Sequence, residues 1–310
     1  MEEFQLNHRF LNSSVLLICL LFLLQSAGCG AIGFEKVETI NVGSGSFLMS
    51  EPTGATNADL RVFYYRPANW TADRPIVVVM HGFKRNAEDY RDDWIQYADQ
   101  YNLLVVCPEF SESKYPGVRY YNTGNASDTD DETGNLQPKE NWVFPVIDRI
   151  FDQAKIRSGA AGENFALYSH SAGSQMIHRY VLLNKETKVK KIISANAGWY
   201  TMPDSNVAFP YGIKGLPLNA DDLKAAFAKP VTILLGEADI KSNADLRHTL
   251  LADAQGENRF ERGQEFFALA QKKAAQMGVP FHWQLLTVPG VGHNEAKMGA
   301  VAAKLIAEEQ

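Results

Sequence analysis

The sequence predicts an α/β fold, a mostly parallel central sheet with helices on both faces. Two observations carry this reading. Val-rich runs such as PIVVVMHG (75–82) and LLVVCPEF (103–110) are continuously apolar, the pattern of strands buried on both faces. Longer amphipathic stretches separate such runs, so strand and helix alternate, as parallel pairing through crossover connections requires. The 310 residues are 45% hydrophobic and 21% charged, enough for one large domain once the first thirty are set aside.

Those thirty differ in kind. FLNSSVLLICLLFLL (10–24) is nearly all apolar and is followed by QSAGCG (25–30). The run is short of the about 20 residues that a membrane span needs. It fits the apolar core of a secretory signal with small residues at a cleavage site. SAGC also resembles the bacterial lipoprotein signal, which implies a lipidated Cys29 and a membrane tether; plain cleavage is the alternative. The expectation is a signal peptide over 1–30, an N-terminal segment over 31–57 and an α/β domain over 58–310. The protein is expected to be exported, as a periplasmic, secreted or membrane-tethered species. Cys19 and Cys29 fall in the leader, leaving Cys107 alone, so neither a disulfide framework nor a cysteine metal site is available. The net charge of −6 comes without a polybasic stripe, which argues against nucleic acid as a partner.

Within the domain, DLRVFYYRP (59–67) reads as a strand ended by its proline, and 75–82 as the first buried strand. AEDYRDDWIQYADQYN (87–102) spaces Tyr90, Trp94, Tyr97 and Tyr101 as one helix face. The strand 103–110 follows, then a helix over 142–156 with Pro145 in its first turn. NFALYSHSAG (164–173) is strand and turn, and SQMIHRYVLL (174–183) is the helix leaving it. Three further strands lie at 189–198, 230–239 and 281–290, with helices at 258–278 and 294–309. Residues 111–141 break the alternation. They are polar and long for a loop in a compact domain, and they follow a strand's carboxyl end, where they could overhang a site.

The turn SHSAG (169–173) joins a strand to a helix. A serine on such a turn presents its hydroxyl above the sheet, and the residues two before and two after must be small. The usual pattern is G-x-S-x-G; here Ser169 replaces the first glycine. The helix beginning at 172 aims its N–H groups at any anion forming beside Ser171. On these five residues alone, an N-cap serine is an equal reading. A nucleophilic serine needs a base and an orienting acid, which in this topology follow it in the order Ser, Asp or Glu, His. TILLGEAD ends a strand with Asp239, Glu237 being the second choice, and LLTVPGVGH ends the last strand with His293. All three then stand on one edge of the sheet. His170 is a poor base because neighbours on a tight turn point apart, and His178 lies on another helix face. The HGF turn at 81–83, directly after a buried strand, offers the backbone N–H of Phe83 to pair with that of Ala172 as an oxyanion hole. Each such donor is worth about 3 kcal/mol of transition-state stabilisation.

The HG turn (81–82), S-H-S-A-G, G-E-A-D (236–239) and G-V-G-H (290–293) together resemble the α/β-hydrolase superfamily from about residue 58 to 308. HSAGSQMIHRY and ANAGWYTMPD (195–204) are similar to the exported esterases grouped with polyhydroxybutyrate depolymerases and feruloyl esterases. The resemblance implies a carboxylic ester hydrolase with Ser171 as nucleophile, His293 as general base and Asp239 as orienting acid, and with no metal or organic cofactor. Its partner would be a small-molecule or polymeric ester. Trp199, Tyr200 and Trp142, with Tyr120 and Tyr121, are candidate substrate contacts, and core packing is an equal reading of each. A binding protein that keeps the fold without turnover, or a peptidase or amidase with the same triad, remains the alternative.

Overall fold

The protein is described from a computed structural model over residues 38–308. The leader and Cys29 lie outside the described residues. Eight strands form one sheet: β1 (Gly43–Met49), β2 (Leu60–Arg66), β3 (Ile76–Met80), β4 (Leu104–Pro108), β5 (Phe165–His170), β6 (Val189–Ala195), β7 (Val231–Gly236) and β8 (Gln284–Val288). Their spatial order is β1-β2-β4-β3-β5-β6-β7-β8. β1 pairs antiparallel with β2 and β2 with β4, and every later pairing is parallel.

The valine-rich strands divide their side chains between two cores. Val77, Val79 and Val105 face a layer built by α1 (Ala87–Tyr101) and α8 (Glu295–Ala307), which pack on each other. Ile76, Val78, Leu104 and Val106 face the opposite core. That side is covered by α3 (Val146–Ser158), α4 (Ala172–Leu183), α5 (Ala220–Phe227) and α7 (Arg259–Met277). Burial on both faces is why these runs do not alternate. The short helices α2 (Gly117–Tyr121) and α6 (Leu250–Asp253) lie in the connections after β4 and β7.

Some boundaries differ from expectation. β1 falls inside the 31–57 stretch, where Phe47 and Met49 alternate with exposed residues in a short, Gly- and Ser-rich edge strand. Pro145 precedes α3 as its N-cap instead of sitting in its first turn. The 111–141 segment contains α2 and a single 3-10 turn at Lys139–Asn141, and it folds back on itself. A bridge pairs Ser127 with Leu136, and the Asp128 carboxylate accepts from Asn135 N at 2.7 Å.

Sequential strands β3 and β4 lie on one side of a reversal in strand order, and β5 begins the other side. In open α/β sheets a crevice opens at such a switch point, beyond the carboxyl ends of the strands. The HG turn after β3 and the serine turn after β5 both stand there.

Candidate active site

Ser171 takes φ 57° and ψ −116°, a conformation that L-residues rarely adopt and that costs roughly 1–3 kcal/mol. Its side chain makes no capping bond to α4, so it does not serve as an ordinary N-cap. The turn is held by backbone: Ser171 N donates to Ala195 O at 3.0 Å and Gln175 N to Ser171 O at 3.2 Å.

The two flanking small residues have different reasons. Gly173 lies against the end of β3, where a methyl group would stand 2.7 Å from His81 O and 2.8 Å from Met80 O. Ser169 is tolerated because its buried hydroxyl is satisfied. It meets Ser174 Oγ at 3.0 Å, and Ser174 in turn donates to Ala195 O at 2.7 Å.

The structure brings Ser171, His293 and Asp239 together. His293 Nε2 lies 2.9 Å from Ser171 Oγ, and His293 Nδ1 lies 2.7 Å from Asp239 Oδ2. A carboxylate only accepts, so Nδ1 carries the ring proton and Nε2 is free to accept from the serine hydroxyl. Asp239 is buried and the His293 side chain is 30% exposed, so the carboxylate is shielded and the imidazole reaches solvent. Glu237 points elsewhere, accepting from Thr287 Oγ1 at 2.7 Å.

The loops that carry Asp239 and His293 are clasped by Asn196, in a left-handed conformation just past β6. Its side-chain oxygen accepts from Gly236 N at 2.9 Å, and its side-chain nitrogen donates to Gly292 O at 3.3 Å. A methyl group at Gly236 would overlap Val291 O, so the glycines of G-E-A-D and G-V-G-H allow two backbones to close on each other.

Phe83 and Ala172 line the same cleft as Ser171 and His293. A methyl group on Gly82 would stand 3.8 Å from Ser171 Cβ, so the HG turn lies directly against the serine. His81 braces that turn from the core. Its Nε2 accepts from Phe110 N at 3.1 Å, so its Nδ1–H donates to Gly82 O at 2.8 Å, and its ring stacks on Tyr121. Burial pushes its pKa down to about 3.

The cleft has a volume of about 370 Å³. Trp199 forms part of its wall, held by two guanidinium groups: Arg179 lies 4.1 Å and Arg247 4.9 Å from its ring centroid. The start of the 111–141 segment lines the opening through Glu112, Gly117, Val118 and Asn122. Of the five candidate aromatics only Trp199 lines the cleft: Tyr120 packs against the core, and Tyr121 is buried against His81. Tyr200 is fully buried, stacked on Phe266 and packed against the tilted ring of His178. Trp142 is buried too, its ring against Phe144 and its N–H on Gln137 O at 2.9 Å. Both aromatics lie beside loops, and their periodicity could not distinguish a cleft from the core.

Two contributors, Arg259 and Asn196, escaped the sequence reading, and His170, set aside there as a base, packs against the imidazole. Arg259, the first residue of α7, lies with Nη1 3.7 Å from Asp239 Oδ1. Asn196 reads as an ordinary strand end, and its positive φ is the only trace a sequence could carry, since asparagine tolerates it. His170 packs on His293 with ring centroids 4.5 Å apart, and its Nδ1 meets Tyr90 OH at 3.2 Å.

No family model matches the chain, and no curated protein matches it. Among solved structures it is similar to a poly(aspartic acid) hydrolase of Sphingomonas sp. KT-1, with 40% identity over 86% of this chain and 99% of that one, TM-score 0.80. It is also similar to a poly(3-hydroxybutyrate) depolymerase of Bordetella parapertussis, with 36% identity over 87% of this chain and 91% of that one, TM-score 0.80. An S-formylglutathione hydrolase of Staphylococcus aureus shares the fold at 13% identity over 87% of this chain and 99% of that one, TM-score 0.55. With two such relatives covered almost end to end, and a serine turn at the switch point of the sheet, the chain belongs to the α/β-hydrolase superfamily of serine hydrolases.

Proposed function

We propose that this chain cleaves carboxylic esters through a Ser171–His293–Asp239 triad and an acyl-enzyme intermediate. One observation carries the reading: an unbroken hydrogen-bond line from Ser171 Oγ through the imidazole to a buried carboxylate, at 2.9 and 2.7 Å. His293 Nε2 takes the hydroxyl proton as Ser171 Oγ attacks the ester carbonyl. The oxyanion of the tetrahedral intermediate is met by the N–H groups of Phe83 and Ala172. His293 then returns the proton to the departing alcohol, leaving an acyl group on Ser171. Water repeats the sequence and releases the acid, while Asp239 holds the ring and stabilises its charged form. The relative at 36% identity, a poly(3-hydroxybutyrate) depolymerase, supports an ester substrate, small or polymeric.

The relative at 40% identity supports a second reading, because poly(aspartic acid) is joined by amide bonds. Turnover of p-nitrophenyl acetate against p-nitroacetanilide separates them: ester turnover far above anilide turnover supports the first, and the reverse order supports the second. A fluorophosphonate probe tests the triad itself. Labelling of the wild type that disappears in Ser171→Ala is expected, and folded wild-type protein that stays unlabelled would leave a binding protein on a hydrolase fold.

We further propose export, supported by the apolar run at 10–24 and the small residues before Cys29. Expression of the full chain in a bacterial host with labelled palmitate tests the tether. Incorporation that Cys29→Ser abolishes supports a lipoprotein, and an unlabelled, shortened extracytoplasmic product supports plain cleavage.

A further inference from the structure

The first turn of α7 departs from what helices favour. Asn258 caps it conventionally, its side-chain oxygen accepting from Glu261 N at 3.0 Å. Yet the next residue is Arg259, a cation at the positive end of a 19-residue helix. Its side chain is only 3% exposed, and its Nε has no hydrogen-bond partner. A buried guanidinium with an unused donor costs stability. Rule-breaking of this kind concentrates at functional sites. What the guanidinium faces supplies the reason: Nη1 lies 3.7 Å from Asp239 Oδ1, the carboxylate oxygen that His293 leaves unused. The same helix end gives Phe260 N to Asp239 O at 3.4 Å, so α7 holds both the backbone and the side chain of the acid.

We propose that Arg259 is a positioning residue: its guanidinium holds the Asp239 carboxylate with Oδ2 turned to His293 and sets a positive charge beside the Ser171–His293–Asp239 line. The inference rests on the triad reading above. Asp239 and His170 touch His293, and further charged and titratable groups stand on the neighbouring elements. Asp239 comes from the end of β7 and His170 from β5, with Tyr90 of α1 behind it. Glu295 opens α8, and Asp245, on the exposed segment after β7, is a second anionic neighbour of Arg259. His170 is held neutral by burial, by His293 and by Arg259. The other cleft arginines are committed to different carboxylates: Arg85 lies 3.2 Å from Glu112 and Arg247 3.0 Å from Asp130. Arg259 is therefore the cation that bears on the acid–base pair.

The sign follows. With the guanidinium gone, one positive charge beside that line is lost, and protonation of the line as a whole is less opposed. The acid limb of Ser171 reactivity then moves to higher pH. The test is the rate of fluorophosphonate labelling of the full chain against pH, for wild type, Arg259→Met, Arg259→Gln and Arg259→Lys. Met and Gln are expected to raise the limb midpoint by about half a pH unit or more. They should also cut the limiting rate about tenfold through a looser acid. Lys keeps the charge and should return the midpoint to within about 0.2 unit of wild type. Gln keeps a donor and similar length, so it serves where the Met variant does not fold. A lowered melting temperature with an unmoved midpoint in the neutral variants would overturn the proposal and leave Arg259 a purely structural residue. Absence of labelling in wild type would overturn the triad reading itself, a result distinct from an unmoved limb.

Discussion

Asn196 donates its side-chain N–H to Gly292 O at 3.3 Å while its side-chain oxygen accepts from Gly236 N at 2.9 Å, so one amide sets the spacing between the loop of His293 and the strand that leads to Asp239. Asn196→Asp separates the two bonds, because the carboxylate keeps the acceptor and the tolerance for positive φ and loses the donor. The expected outcome is a fall in kcat of about tenfold on p-nitrophenyl esters with KM little changed, since misplacement of the base affects the chemical step. A change confined to KM would show that the clasp shapes the cleft instead.

Gly173 and Ser169 flank the same serine with opposite tolerance. Gly173→Ala drives a methyl group into two backbone oxygens of the β3 end that cannot turn aside. We expect destabilisation of about 1–3 kcal/mol and a large loss of activity, because α4 would be forced off the HG turn. Ser169→Gly removes a hydroxyl whose partner Ser174 keeps its own bond to Ala195 O. It should cost no more than about 1.5 kcal/mol and leave turnover nearly intact. Urea melts and ester turnover of the two variants check both statements.

This pair also marks the limits of legibility. The sheet was readable because a strand buried on both faces must be continuously apolar, as Val77 to Val79 are. The candidate triad was readable because order along the chain and strand ends restrict where an acid and a base can stand. Sequence alone assigned one reason to both small residues, local crowding in the turn, whereas the crowding at Gly173 comes from β3, ninety residues earlier. Arg259 was hidden because a cation in a helical segment ordinarily reads as solvated surface. Tyr200 and Trp142 stayed open between cleft and core because an aromatic at the edge of a loop can turn either way. The sequence carries periodicity and order but not the direction of a side chain that leaves a loop.

Three buried histidines make stability depend on acid. His81, His170 and His178 all have pKa values lowered by burial, His81 from 6.5 to about 3. Unfolded, each binds a proton near pH 6.5; folded, each resists it. Their contribution is complete above pH 6.5 and is lost as pH falls from there toward about 3, where His81 titrates in the fold. The slope reaches about 1.4 kcal/mol per pH unit for each histidine. Urea midpoints measured from pH 7 to 4 should therefore fall steadily. His81→Asn should flatten the slope while lowering stability at pH 7, because the ring bonds to Gly82 and Phe110 are lost. A parallel decline in both proteins would exclude His81 as a contributor.

Arg247 offers the clearest separation between binding and chemistry. It lies over Trp199, donates to Tyr211 OH at 2.7 Å and reaches Asp130 at 3.0 Å, so it fastens the long 111–141 segment to the cleft wall. None of these contacts touches Asp239 or His293. Arg247→Met keeps most of the stem that covers the indole and removes every charged contact. The ion pair is part-exposed and worth at most about 1 kcal/mol, and the bond to Tyr211 is of similar size. Together they convert to a KM increase of roughly three- to thirtyfold with kcat preserved. Substrates with long acyl chains should feel it more than acetate, since acetate need not reach Trp199. The comparison with Arg259→Met sharpens the point: of the arginines lining the cleft, the one on Asp239 should alter the pH profile while Arg247, on Trp199, should alter KM. If Arg247→Met lowers kcat for acetate as strongly as for long acyl chains, the loop it anchors holds the acid–base pair as well, and this division of labour between the two arginines fails.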